Sequence, residues 1–380
     1  MTPIGPRKIL HVFGRMNRGG AELRTLDVIR QLAPRHYTSH FAVLSGLPGT
    51  LDEEIRSLGG TVHYCRLKSP LFAPRFLRLL RAGRFDVVHS HVHYASGAIA
   101  ALAAVSRVRT RVVHFRSSTD GREDGPVRNV VRGMLRDAID RYATHIVGVS
   151  EAAMDGTWKA DWRADARSRV IYNGLPDTGP EGSPAFVRHA LGVPLDAPLV
   201  VHVGRMHEAK NHLRVVSVFA HLARRHPEAR LVLVGRSQRR IEETLHAHIE
   251  QWGLAGRVIL TGERTDVASI LAAADALLFP SLWEGLPGAV LEALRAGTPV
   301  VASALPVMLE IGATLPWVSA VDLRLPDDLW ADAVWSAIQR GRNPRERAAA
   351  TVAFRDSPFG VRHAAAQLMT LWSGRDLELA

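Results

Sequence analysis

Short apolar runs alternate with longer segments whose apolar residues recur at helical spacing. The runs at 8–13 (KILHVF), 40–44, 61–65, 86–89, 111–115, 145–149 and 170–172 have the length and β-branched content of buried strands. Between them the pattern predicts helices: one from Ala21 with Leu23, Leu26 and Ile29 on one side, then 51–58, 72–81, an alanine-rich helix from Ala95, 127–142, and one opened by Ser150-Glu151. Residues 119–125, polar and glycine-bearing, read as a mobile surface loop. The pattern breaks at 175–184 (LPDTGPEGSP), whose proline and glycine content reads as an interdomain linker. A second series follows, with strands at 199–203, 231–234, 258–261, 276–279 and 299–302 and helices at 214–226, 241–252, 267–273 and 286–296. Strand–helix alternation with continuously apolar strands predicts parallel sheets covered on both faces. The expectation is therefore two α/β domains, 1–178 and 179–357, with their strand ends toward a shared cleft. Over 358–380, Phe359, Ala364, Leu368 and Leu371 predict a last helix, either crossing to the first domain or closing the second.

Composition narrows the class. A length of 380 residues suffices for two domains, and 47% hydrophobic with 22% charged residues is globular. The single cysteine, Cys65, excludes an intrachain disulfide and any multi-cysteine zinc site. Histidines are many, 18, but scattered; His89, His91 and His93 alternate without an acidic partner at ligand spacing, and no metal is expected. A net charge of +11 suits nucleic acid, an anionic membrane or acidic substrates. No basic stripe interleaved with aromatics supports nucleic acid. Arg75, Arg78, Arg81 and Arg84 on one basic helix suit peripheral contact with an anionic membrane. Met1–Lys8 leads directly into a strand, and no run reaches the roughly 18 apolar residues of a membrane span. The expected location is cytoplasmic, at most peripheral at the inner face of the membrane.

The candidate chemistry gathers at strand ends. Residues 278–306 read LFPSLWEGLPGAVLEALRAGTPVVASALP: a strand end, a loop with Trp283 and Glu284, a helix with Pro287 at its first position and Glu292 further along, Gly297 as its stop, then a strand. The backbone of Gly285, Leu286 and Pro287 leads into that helix start, where free N–H groups and a partial positive charge suit a phosphate. Carboxylates beside it can accept hydrogen bonds from sugar or ribose hydroxyls. After the strand at 199–203, Arg205 and Lys210 can converge on a diphosphate, one as a planar fork and the other as a point charge. Gly235-Arg236 and Glu263-Arg264 end two further strands and are placed to touch a nucleobase. In the first half, Gly19-Gly20 lets backbone approach a ligand closely. His114, at a strand end, can donate to a sugar hydroxyl or act as an acid or base. His91 and Arg116 stand at neighbouring strand exits, positions that the family resemblance given below assigns to the acceptor.

Taken together and in order, these segments resemble family four of the retaining, nucleotide-sugar-dependent glycosyltransferases. Their architecture, GT-B, is two Rossmann-like domains facing a deep cleft. The resemblance is carried by Gly19-Gly20-Ala21-Glu22, the run 86–91 (DVVHSH), Val113-His114, Val149-Ser150, Ile171–Gly174, Arg205 with Lys210, the run 284–292 (EGLPGAVLE), and Glu310. It implies that Glu284 contacts the donor sugar and Glu292 the ribose. Arg205 and Lys210 would stabilise the leaving diphosphate, helped by N–H groups of Gly20 and of Leu286 onward, with His114 beside the transferred sugar. It implies further a UDP- or GDP-sugar co-substrate, no metal, and a glycan or lipid-linked acceptor of cell-surface polysaccharide synthesis. Ser237 and Asn211 depart from the family, standing where glycine is common. A sugar-nucleotide epimerase of the same architecture and a non-catalytic basic binding protein remain as alternatives.

Overall fold

The two series of apolar runs form two parallel sheets. A computed structural model of the chain describes residues 6–32, 36–119, 125–176, 179 and 182–373. The first series gives β1 (Arg7–Phe13), α1 (Gly20–Gln31), β2 (Tyr37–Val43), α2 (Asp52–Ser57), β3 (Thr61–Tyr64), α3 (Phe72–Gly83), β4 (Val87–Ser90), α4 (Ser96–Val105), β5 (Thr110–Phe115), α5 (Pro126–Tyr142), β6 (His145–Gly148), α6 (Glu151–Thr157) and β7 (Ser168–Val170). The second gives α7 (Pro184–Ala190), β8 (Leu199–Val203), α8 (His212–Arg225), β9 (Arg230–Val234), α9 (Arg239–Gln251), β10 (Val258–Gly262), α10 (Val267–Ala273), β11 (Ala276–Phe279), α11 (Gly288–Arg295), β12 (Val300–Ser303), α12 (Pro306–Thr314), β13 (Val318–Val321), α13 (Asp327–Gly341), α14 (Pro344–Arg355) and finally α15 (Val361–Ser373).

The sheets have the orders β3-β2-β1-β4-β5-β6-β7 and β10-β9-β8-β11-β12-β13. In each, the direction of strand addition reverses once, at β1/β4 and at β8/β11. Such reversals open a crevice at the carboxyl ends of the strands, where ligands of open α/β sheets bind.

The chain divides into two compact units, one of residues 177–357 and one that runs to Pro176 and resumes at Pro358. In the resumed segment, α15 lays Val361, Ala364, Leu368 and Trp372 on Ile9, Val87 and Val112 of the first sheet. Leu175 pairs with this returning segment, its N–H donating to Phe359 O and its O accepting from Val361 N, both 2.9 Å. The approach is close enough that a Cβ on Gly174 would lie 2.3 Å from Val361 Cα. The opposite face of this sheet, with Leu10, Val12, Val88, Val113 and Phe115, is covered by α3, α4 and α5. In the second unit, Val200, Leu231, Leu278 and Val301 pack under Phe219 and Leu222 of α8 and Trp330, Val334 and Ile338 of α13.

Several elements depart from the sequence expectation. The strand expected at 170–172 ends at Val170. Helix α11 begins at Gly288, because Pro287 has the extended backbone of a cap (ψ 110) rather than a first helical residue. The α7, α12, β13, α13 and α14 elements were not foreseen, although Trp330, Val334, Ala337 and Ile338 carry helical period through α13. The end of the expected linker is instead the start of α7, which Ser183 caps by accepting from Phe186 N at 3.2 Å. Positions 177, 178, 180 and 181 of that linker, and 120–124 of the expected surface loop, lie outside the described residues. Among the described residues no helix is long and apolar enough to cross a membrane.

Candidate active site

In the second unit the expected donor residues cluster around the β8/β11 reversal. The loop after β8 carries Arg205 and Lys210; the loop after β11 carries Glu284. The two loops are stitched together by Leu282 N donating to Ala209 O at 2.8 Å and Asn211 Nδ2 donating to Pro280 O at 3.2 Å. Asn211 sits at φ +53, a left-handed conformation that asparagine tolerates better than most side chains. Beneath the loops, His202 donates from Nδ1 to Leu278 O at 2.8 Å and ties β8 to β11. Lys210 Nζ lies 2.5 Å from Glu284 Oε1 and 4.6 Å from the Phe279 ring centroid. The pair is half-buried, with side-chain exposures of 21% and 11%. Arg205, Arg236 and Glu263 are exposed, and Glu292 is half-buried at the fifth position of α11. Arg264 is held by Asp266 at 2.8 Å, which ties it to its own turn. Gly285, Leu286 and Pro287 are buried beneath the helix start.

Gly235 has a reason of its own to be glycine. Its φ is +149, and a Cβ there would lie 2.1 Å from Gly204 O. The exit of β9 thus rests on the exit of β8, and this contact fixes the backbone from which Arg205 projects.

In the first unit, Gly19 is the cap of α1, and a Cβ on it would strike Glu22 Oε2 at 2.4 Å; a Cβ on Gly20 would meet open space. The histidines form a cluster that the sequence showed only in part. His93 turns away at φ +52, and the third member is His11, paired in register with His89 across β1 and β4. Strand periodicity puts His11, His89, His91 and His114 on one face. All four are buried, His114 with 1% exposure.

Their tautomers follow from partners that can only donate. Trp372 Nε1 donates to His89 Nδ1 at 3.2 Å, so His89 carries its proton on Nε2 and donates to His114 Nδ1 at 3.1 Å. His114 therefore also carries its proton on Nε2, and that buried N–H has no partner. In parallel, Arg116 Nε donates to His91 Nδ1 at 3.1 Å, and His91 faces His11 Nδ1 at 3.5 Å, leaving His11 Nε2 unpartnered. His11, His89 and His91 have nitrogens within 4.8 Å of one another, as metal ligands can, but each lone pair already accepts an N–H, and the Arg116 cation stands beside them. Arg116 is also bound to Asn173 Oδ1 at 2.5 Å and Thr25 Oγ1 at 3.2 Å. The expected acceptor contacts His91 and Arg116 are thus interior groups that already serve one another. These side chains line a cavity of about 10 Å³, room for about one water.

Burial, reinforced by Arg116, holds His11 at about 3 and His89, His91 and His114 well below the ordinary imidazole range. Burial also lowers Arg116, to about 9. The histidines are thus neutral at physiological pH and Arg116 carries the charge. Between the ordinary value of 6.5 and the folded value near 3, the unfolded chain binds protons that the folded chain refuses, so stability falls as pH drops through that window. Each such group contributes up to about 1.4 kcal/mol per pH unit. Urea unfolding at pH 7.5 and pH 5.5 checks this: the midpoint is expected to be clearly lower at pH 5.5, and equal midpoints would contradict the neutral cluster.

Two units, each a parallel sheet whose strand order reverses once, have the GT-B architecture. Solved structures agree: HepE of Anabaena, crystallised with UDP and glucose, superposes with a TM-score of 0.79 over 97% of this chain and 100% of its own, at 19% identity. The family pattern "Glycosyltransferase Family 4" matches residues 18–178, and "Glycosyl transferases group 1" matches 185–313. The capsular polysaccharide biosynthesis glycosyltransferase CapH of Staphylococcus aureus is 30% identical over 338 residues, 88% of this chain and 92% of CapH. The glycosyltransferase EpsF of Bacillus subtilis is 29% identical over 90% of both chains. The chain belongs to this glycosyltransferase family.

Proposed function

We propose that the protein is a retaining glycosyltransferase that moves a hexose from a UDP- or GDP-sugar to a glycan or lipid-linked acceptor during cell-surface polysaccharide synthesis. The observation that carries this reading is the Lys210–Glu284 pair, set across the β8/β11 reversal where a donor phosphate would lie. Without a donor, Glu284 is the counter-ion of Lys210. An arriving diphosphate replaces it, and Lys210 keeps its place over the Phe279 ring. Glu284 is then released to accept hydrogen bonds from the sugar hydroxyls. Arg205, exposed five residues away, supplies the second cation, and the helix start after Pro287 supplies N–H groups to the same anion. Glu292 takes the ribose hydroxyls. Open space at Gly20 Cβ suits backbone contact with a phosphate. His114 is taken to lie beside the transferred sugar, as the family resemblance implies, with its unpartnered Nε2–H facing a buried cavity that admits about one water.

In the transfer step the bond from C1 of the sugar to the phosphate oxygen breaks and a bond from C1 to the acceptor oxygen forms on the same face. The acceptor's proton passes to the leaving phosphate oxygen. Two cations and a helix N-terminus stabilise the departing charge, so the reading needs no metal. The relative CapH, named for capsular polysaccharide biosynthesis, supports a polysaccharide acceptor, and HepE's UDP-glucose complex supports a nucleotide-sugar donor. The exposed arginines of α3, Arg75, Arg78 and Arg81, support work at an anionic membrane. A thermal-shift screen of UDP-, GDP- and ADP-sugars tests the donor: a ligand held at 100 times its Kd adds about 2.7 kcal/mol and raises the melting temperature. One UDP- or GDP-sugar is expected to do so, and no response to any of them would overturn the proposal.

A further inference from the structure

In the second unit, β8 and β11 stop pairing before they end. Their register joins Ala276 to Val200 and Leu277 to Val201 and goes no further, although β8 runs on to Val203 and β11 to Phe279. The direction of strand addition reverses between these two strands, so this unpaired stretch is the root of the loops that carry Arg205, Lys210 and Glu284. One side chain bridges it. His202 is fully buried, and its Nδ1–H donates to Leu278 O at 2.8 Å where the backbone ladder has given out.

A histidine is an expensive choice at that position. With its proton on Nδ1, the ring presents an Nε2 lone pair that is buried and unpartnered. Burial, reinforced by His212 and Lys210, holds its pKa well below the ordinary imidazole range, so the lone pair stays bare. A phenylalanine would fill the space without that loss. What a phenylalanine could not do is hold Leu278 O.

Ring contacts carry the bridge to Lys210. Phe279, next in the chain after Leu278, stacks on His202 with centroids 5.7 Å apart, and Lys210 Nζ lies 4.6 Å from that same Phe279 centroid. His202 also meets His212 edge-to-face at 4.7 Å, and His212 Nε2 donates to Gly204 O at 3.3 Å. Gly204 in turn is the bed of the lysine stem: a Cβ there would lie 3.1–3.3 Å from Lys210 Cγ, Cδ and Cε. The imidazole thus supports both surfaces that Lys210 rests on, the Phe279 ring near its ammonium and the Gly204 backbone along its stem.

We propose that His202 is a positioning residue for donor binding: by pinning Leu278 across the unpaired ends of β8 and β11, it sets where Lys210 presents its charge to the diphosphate. The proposal rests on the diphosphate grip read above. It adds that the grip is set by a buried group that touches no substrate.

Two substitutions separate the ring from the donor. His202→Phe keeps the stack on Phe279 and loses the N–H. His202→Asn loses the ring but places its amide Nδ2 where the imidazole Nδ1 stood, so it still donates to Leu278 O. Calorimetry then measures UDP against UMP, and GDP against GMP, on the unaltered protein, both variants, Lys210→Ala and His202→Phe/Lys210→Ala. The readout is the ratio of diphosphate to monophosphate affinity. A variant that is only partly folded loses both affinities by the same factor and leaves that ratio where it was.

His202→Phe is expected to lower the ratio by about threefold or more, as befits coupling between residues of one contact chain. His202→Asn should recover most of it, and in the Lys210→Ala background His202→Phe should change it no further. Circular dichroism checks each fold, and the Lys210 cycle decides alone if His202→Asn does not hold one. A ratio unchanged in His202→Phe, a loss that folded His202→Asn does not recover, or the same drop with and without Lys210 would each overturn the proposal and leave His202 as packing. Indifference of the unaltered protein to the second phosphate would instead strike the diphosphate grip itself, and this proposal with it.

Discussion

Replacing Glu284 with alanine is expected to lower kcat by about 10²–10³-fold, the range seen when one group facing developing charge is removed, while circular dichroism is unchanged. The side chain sits in a loop beyond β11 and is half-buried rather than part of the core, so the fold does not depend on it. What is lost is the acceptor of sugar hydroxyls and the group that keeps Lys210 in place between turnovers. Lys210→Ala should cost a comparable factor for a different reason, the unneutralised diphosphate, and should raise KM as well. Steady-state kinetics on both variants separate the roles. Full activity of Glu284→Ala would refute its contact with the sugar.

The second large effect concerns a residue far from Glu284 in sequence. His114→Ala is expected to lose about 10²-fold or more in kcat, the lower end for a positioned proton donor. Trp372→Phe should reproduce part of that loss, about tenfold, without touching His114 itself. Phenylalanine keeps an apolar ring in α15 but removes the indole N–H that fixes His89, and through it His114. Imidazole ¹⁵N spectra read the tautomer directly. The unaltered protein should show His114 with its proton on Nε2, and Trp372→Phe a mixture. A single unchanged tautomer in the variant would show that Trp372 only packs.

The two sites differ in how far the sequence revealed them. Arg205, Lys210 and Glu284 were legible because they lie on loops that follow strand ends located by hydrophobic period, and Glu292 because it lies on the helix that continues one of those loops; parallel topology brings the strand ends together. The Trp372–His89 contact joins residues 283 apart and depends on which unit the last helix joins, which no local pattern decides. His11 went unseen for a related reason: its partnership with His89 comes from strand order, and β1 pairs with β4 only after two intervening strands are placed elsewhere. Helix α5 was legible as a helix over 127–142, but which of its sides faces the core is decided by Ile139 and the close α4 contact. Gly235 was read as ligand-facing backbone, and the structure adds a packing reason in Gly204.

The central claim is that cations after β8 grip a donor's diphosphate. Titrating UDP and GDP into the unaltered protein and into Arg205→Ala/Lys210→Ala by calorimetry tests it most directly. The account predicts binding of one nucleotide that weakens by at least about tenfold, 1.4 kcal/mol, in the double variant. Equal affinity in both proteins would contradict it.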